Sequence, residues 1–444
     1  MIANRSHIAL LVAILAAFSM WCYVDFILVP YEKMDAAEHD RPRGNLSDLY
    51  PRWLGARELL LHGRDPYSPD ITRDIQVGYY GRPLNPSRPN DPKDQQGFAY
   101  PVYVAFLLGP TVRLPFGEVQ TGFRWLLVLL IAATIPLWAI ALRLRLTLTN
   151  QLTWLVFALG SFSAVQGLKL QQLTLVVCAL IAGCAAALSR GRLVAAGVLL
   201  ALATIKPQLA GILAAWLLFW TLNDWRRRQL FAWSFGGSML LLVGGSELLL
   251  PGWIGRFRAA AAAYYEYTGG GKSVLDVILG AGLGKLTAAI LLVVVCMFLW
   301  KYRRDPADSA GFGHSFALVL AFTLVVIPSY APYNQLLLLP ALMLLVRSHS
   351  AETAASTTTN PERSVTRSAL INPLRWITLV VVSWPWVSAG ILDLLLFVLP
   401  PHQVQSHWTV PLYTSLPIPL AVLGTLMVGS LPSSSTGLQS VVQH

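Results

Sequence analysis

Long apolar runs separated by short polar turns organise this chain. The first runs from Ile8 to about Val29, and others follow at roughly 120–142, 152–167, 172–189, 193–205, 208–222, 229–250, 286–302, 312–328, 334–346, 376–399 and 409–430. A helix needs about 20 apolar residues to cross hydrocarbon, so with the first run these predict 12 spans. The stretch "YPVYVAFLLGP" from Tyr100 is apolar but short, bounded by prolines and followed by Arg113. It reads as a re-entrant or surface-lying helix, with 13 spans as the alternative. The pattern predicts an all-α polytopic membrane protein, a bundle of about 12–13 transmembrane helices.

Between the first run and the next lies a polar segment, residues 30–98, holding 11 of the 22 acidic residues and 10 of the 33 basic ones. Its Pro, Gly and Asp content predicts short juxtamembrane helices in a long first loop. "SHSAETAASTTTNPERSVTRSALIN", residues 348–372, reads as a mobile Ser/Thr-rich linker. It divides a main module, 1–347, from a C-terminal helical pair and tail, 373–444.

Composition agrees with this reading: 55% of residues are hydrophobic and only 12% charged, against about 25% charged in soluble domains. The net charge of +11 is spread over short turns, which suits anionic membrane lipid and not a nucleic-acid surface. The basic clusters at Arg143/Arg145, Arg190/Arg192, 225–228, 301–304 and 347–375 all face the cytoplasm under the positive-inside rule. The first helix is then uncleaved, with its N-terminus cytoplasmic. The 30–98 loop, 167–172, 205–208, 251–285 and 328–334 share the outer face. Cys22, Cys178, Cys184 and Cys296 all fall in apolar runs and read as core residues.

Candidate chemistry gathers on that outer face. "SDLYPRWLGARELLLHGRDPY" predicts a helix from a Ser47 cap to Gly63, with Asp48, Arg52 and Arg57 on or near its polar side. Solvated charges on a surface helix and a cavity-lining carboxylate with two guanidiniums both fit that spacing. In "LATIKPQLAGIL", Lys206 is either a snorkelling cation or one that meets an anion, and Pro207 breaks the helix so that backbone lines a cavity. Gln171 and Gln172 in "GLKLQQ", with Tyr330, Tyr333 and Asn334 in "YAPYN", either bind a sugar or belt the interface. "YYEYTGGGKS" reads as a flexible loop or lid, since it lacks the spacing of a phosphate loop. No Asp-x-Asp, HExxH, Gly-x-Ser-x-Gly or Walker motif is present, so neither a metal site nor a cofactor is expected.

"SDLYPRWLGARELLLHGRDPY", "FAYPVYVAFLLGP", "RGRLVAAGVLLALATIKPQLAGIL" and "SYAPYNQLLLLPALMLL", in that order over roughly residues 1–347, resemble glycosyltransferase family 87 of the GT-C superfamily. The resemblance implies a GT-C-like bundle, a polyprenyl-phosphate sugar donor of the polyprenol-phosphate-mannose type, and a catalytic Asp in the first outer loop. The family's Asp falls on Asp48, its Gly-x-x-x-Tyr on Gly63 and Tyr67, and its Lys-Pro on Lys206 and Pro207. The chain departs from the family at Val102, where a second Pro is usual, and at "KLQQ", where Gly-Gln is common; these departures bear on Tyr100 and Gln171.

The implied activity is inverting transfer of mannose or another hexose to a lipid or glycan acceptor at the outer face of the cell membrane. Asp48 is the general base, Lys206 with Arg52 or Arg57 the phosphate clamp, and Tyr100, Gln171, Gln172, Tyr330, Tyr333 and Asn334 contact sugar or acceptor. Asp25, near the end of the first span, is the rival base. The alternative function is a carrier or flippase for a polyprenyl-linked or other anionic lipid.

Overall fold

The computed structural model describes residues 2–39, 47–85, 87–267, 271–328, 330–355 and 365–429. Among the described residues every regular element is helical. Ser6–Glu38, Phe116–Ala141, Ala281–Tyr302, Pro373–Leu395 and Pro401–Gly429 are long and apolar enough to cross a bilayer. Four shorter apolar helices pack among them, Thr174–Ser189 and Ala310–Val326 largely buried, Leu193–Ala203 and Pro207–Leu222 with one side exposed. Phe316, Ala317, Leu318, Val319 and Leu320 are all buried, whereas Leu283, Leu286, Ile290, Val293 and Met297 are exposed. An apolar surface of that kind belongs in lipid, so the chain is a polytopic helical membrane protein.

One expected span is broken, and another is followed, in the stretch read as a loop, by a second helix at a steep angle. The run at 152–167 becomes Leu148–Leu159 and Phe162–Leu170, bent by 57°. Ser161 caps the second piece through the Ala164 N–H, and Trp386 Nε1 donates to the Gly160 carbonyl at 2.7 Å, so the break leaves these groups satisfied. A Cβ on Gly160 would lie 2.2 Å from Ala17 Cβ, so the first helix crosses in contact at this point. The run at 229–250 becomes Trp225–Leu249, followed by Trp253–Tyr267 at 93°. The run from Tyr100 folds as two short turns, Val104–Leu108 and Gly109–Thr111, too short to cross a membrane.

The first helix is longer than its apolar run and contains a π-helical turn, Val24–Leu28, between Ile2–Tyr23 and Val29–Glu38. Beyond that turn Glu32 meets Lys169 at 2.7 Å. Asp25 in the turn is exposed. The linker expected at 348–372 is entered from both sides by helix, Leu339–Ala355 and Val365–Leu395, while 356–364 lie outside the described residues. Cys178 and Cys184 are core residues; Cys296 instead faces outward and Cys22 is partly exposed.

The polar residues sort to two ends. At one, Arg228 donates to the carbonyls of Trp220, Arg303, Arg304 and Asp305, Arg143 pairs with Asp308, and Arg347 reaches the Leu142 carbonyl. Phe116–Ala141 runs from there to the other end, where Gln171 donates to the Gln120 carbonyl. That second end carries the residues of the first loop.

Candidate active site

The loop after the first helix enters this end as Leu49–His62. The helix begins one residue later than its Ser47 cap predicts, with Asp48 at the N-cap and no side-chain capping bond. Both capping side chains are engaged elsewhere: Ser47 Oγ donates to Gln171 Oε1, and the Asp48 carboxylate accepts from Gln172 Nε2. The Asp48 backbone N–H also donates to the Leu170 carbonyl at 3.0 Å, which fastens the helix start to the end of Phe162–Leu170. Gly63 ends the helix in the left-handed conformation, φ 66°.

Gln171 adopts φ 51°, so the two adjacent glutamines diverge. Gln171 turns back to Ser47 and Gln120 and is a buried latch between loop and bundle. Gln172 turns inward. Its Nε2 donates to Asp48, and its Oε1 accepts from Lys206 Nζ at 3.0 Å. Lys206 stands between Leu193–Ala203 and Pro207–Leu222, where Pro207 ends the ladder. It is 5% exposed and also donates to Thr174 Oγ1 at 2.7 Å. Thr174 donates in turn to Asn334 Oδ1 at 3.0 Å.

Arg52, 8% exposed, donates from Nη1 to the Asp48 carbonyl at 2.9 Å, and its guanidinium lies 4.9 Å from the centre of the Tyr100 ring. Lys206 Nζ is 5.7 Å from the same ring and 5.1 Å from that of Tyr333. Tyr100 is placed from both sides in sequence: Tyr67 Oη donates to its carbonyl at 2.6 Å, and Tyr103 Oη donates to the Thr204 carbonyl at 2.8 Å, beside the Lys206 break. Phe98 packs over Gly55, where a Cβ would lie 2.3 Å from its ring.

These groups surround a cavity of about 160 Å³, lined by Arg52, Tyr100, Gln172, Lys206, Gln208, Tyr333 and Asn334, with Phe257, Ala261, Tyr264 and Tyr265 from the helix beyond the 93° bend. The wall carries two cations, four tyrosines and three amides. Asp48 meets that wall through Gln172 and Arg52 and is partly exposed; its Oδ1 takes no hydrogen bond among the described residues. Burial pushes the Asp48 carboxyl above its ordinary value, and nearby Asp94 adds to this; Arg52, Lys206 and the Gln172 hydrogen bond pull the other way.

Of the residues expected from sequence, Arg52, Tyr100, Gln172, Lys206, Tyr333 and Asn334 line the cavity, with Asp48 at its edge. Arg57 instead stacks over Trp53, 5.3 Å from its ring centre. Tyr330 bonds Ser415 and Gln335, and Gln171 serves the latch, so neither is in the cavity wall. Asp25 is likewise outside it. Sequence reasoning missed Thr174, Gln208, Tyr264 and Tyr265. The paired tyrosines of "YYEY" were the available signal; residues 268–270 of that loop lie outside the described residues. Among the described residues no group of three or more His, Cys, Asp or Glu is placed to hold a metal ion.

The family model of glycosyltransferase family 87 matches residues 98–328, more than half of the chain. The chain belongs to glycosyltransferase family 87. It is therefore a membrane glycosyltransferase, acting on a sugar donor and an acceptor. The matched region contains Tyr100, Gln172 and Lys206, while Asp48 and Arg52 lie ahead of it. Comparison with curated proteins and with solved structures returns no match.

Proposed function

We propose that this glycosyltransferase moves a hexosyl group, mannosyl or another hexose, from a polyprenyl phosphate to a lipid or glycan acceptor, with inversion. The observation that carries this reading is the single amide of Gln172, which holds a carboxylate on one side and a buried ammonium on the other. A transfer of this kind needs a base on the acceptor and a cation on the departing phosphate, close together and fixed.

In the proposed step the acceptor hydroxyl oxygen attacks the anomeric carbon on the face opposite the phosphate. The new carbon–oxygen bond forms as the bond to the phosphate oxygen breaks. Asp48 takes the hydroxyl proton, and the phosphate departs with the bonding pair, its charge met by Lys206 and Arg52. The tyrosines offer ring faces to the sugar. The basic side chains at the far end of the bundle support the reading that this end is cytoplasmic, with the N-terminus inside and the cavity at the outer face of the cell membrane.

The test is transfer in proteoliposomes from a panel of radiolabelled polyprenyl-phosphate hexoses, comparing wild type with Asp48→Asn. Wild type is expected to transfer one of them, and the variant to lose at least about 100-fold in rate while still binding donor. Undiminished transfer by Asp48→Asn would move the base elsewhere. Binding without transfer by wild type, for every donor, would leave the carrier function in its place.

A further inference from the structure

Directly behind the cavity wall, bonded to two of its lining residues, lies a buried hydroxyl that the proposed chemistry does not use. Thr174 opens the helix Thr174–Ser189, has no exposed surface, and sits between Lys206 Nζ and Asn334 Oδ1. The direction of its hydrogen bonds follows from its neighbours. A lysine ammonium only donates, so Thr174 Oγ1 must accept from it. The one hydroxyl proton then goes to Asn334, and the Asn334 atom receiving it must be the carbonyl oxygen.

Two consequences follow for the cavity. Lys206 has three N–H groups; Gln172 and Thr174 take two, which leaves the third for the cavity that Lys206 lines. Asn334 also lines the cavity, and with Oδ1 held by Thr174 its Nδ2 has no partner among the described residues. We infer that Thr174 is a positioning residue for the donor phosphate: clamped between Lys206 and Asn334, its hydroxyl turns both of them toward the cavity as hydrogen-bond donors. The inference rests on the proposed polyprenyl-phosphate donor. Its ligand is the phosphate group, whose oxygens only accept. Without the hydroxyl the Asn334 amide is free to turn over, presenting its carbonyl oxygen to an anion.

The probe is a polyprenyl monophosphate bound to the full-length protein in nanodiscs, with sugar transfer measured in parallel. Thr174→Val keeps the shape and removes the hydroxyl; it is expected to weaken binding at least about tenfold, which is about 1.4 kcal/mol. Thr174→Ser restores the hydroxyl and is expected to bind within about threefold of wild type. Equal losses in the Val and Ser variants would show that any change of packing at this position weakens binding, whether or not the hydroxyl is present, and would overturn the inference.

Asn334→Asp reads the same geometry without altering Thr174, because it puts an anionic acceptor where Nδ2 stands. It should bind the monophosphate more weakly than Asn334→Leu; equal affinities overturn the inference, as does a wild type that does not bind the probe. Wild type that binds the probe and transfers no sugar refutes the proposed function alone. Wild type that transfers, beside a Thr174→Val protein that binds and transfers equally well, refutes the role of Thr174 alone.

Discussion

Gln172 donates to the carboxylate of Asp48 and accepts from the ammonium of Lys206. Asp48 when ionised only accepts and Lys206 when charged only donates, so the two ends dictate which way the amide points. The same side chain therefore sets the separation of the two charged groups and their polarity.

That arrangement predicts a pH dependence. Asp48 acts as a base only when ionised, and burial holds its carboxyl above the usual carboxylate value. The acid limb of kcat/KM is expected above the ordinary carboxylate range, with activity falling as pH drops through it. Gln172→Leu removes a hydrogen bond that favours the ionised form, so the limb should move to higher pH; a limb that stays in place would separate Asp48 from the titration. The stability sign is opposite to the usual aspartate. A carboxyl whose folded value is raised contributes stability below its unfolded value and loses it as pH rises through the folded one. At neutral pH Asp48→Asn should melt at the same or a higher temperature than wild type while transfer collapses.

Arg228 closes the opposite end. It is 6% exposed, its guanidinium lies 3.8 Å from the centre of the Trp220 ring, and it donates to four carbonyls, one near the end of Pro207–Leu222 and three in the turn that follows Ala281–Tyr302. Removing it strands buried acceptors, so Arg228→Met should cost at least about 3 kcal/mol, read as a lower Tm in detergent. Transfer per folded molecule should be little changed, since the cavity is at the other end. A Tm equal to that of wild type would show that the carbonyls find other partners.

Two glycines predict opposite results for one substitution. At Gly197 a Cβ would lie 2.7 Å from the Phe231 carbonyl oxygen and the Phe235 backbone nitrogen, so Leu193–Ala203 and Trp225–Leu249 touch backbone to backbone. Gly197→Ala should destabilise by about 1–3 kcal/mol. A Cβ added at Gly211, in Pro207–Leu222, would meet no neighbouring element within 4 Å. Gly211→Ala should raise Tm through helix propensity alone, worth up to about 1 kcal/mol. Equal shifts would show that backbone contact does not govern the Gly197 site.

Sequence pattern reached the site through its most local chemistry. Pro207 cannot continue a helix and Lys206 is costly in lipid, so "IKPQ" announced a break facing a cavity, and Gly63 announced the end of the Asp48 helix. What the pattern could not reach was set by contacts distant in sequence. Nothing in two adjacent glutamines says that one holds a loop and the other the cavity, because that depends on the left-handed backbone of Gln171. Thr174 is one of many threonines until Lys206 and Asn334 meet it. Arg57 illustrates a signal that was present: five residues beyond Arg52, it lies about 140° around the helix, which sends one guanidinium inward and the other onto Trp53.

The π-helical turn Val24–Leu28 accommodates one residue more than an α-helical turn would. Such a turn acts as a phase shifter: everything after it is rotated by about 100° relative to an uninterrupted helix. Glu32 owes its alignment with Lys169 to that rotation. A chain shorter by one residue here would still build an unbroken first helix, yet would present the wrong side of Val29–Glu38 to the bundle. The entry into the Asp48 loop therefore depends on counting, in a stretch where any apolar sequence would have satisfied the membrane.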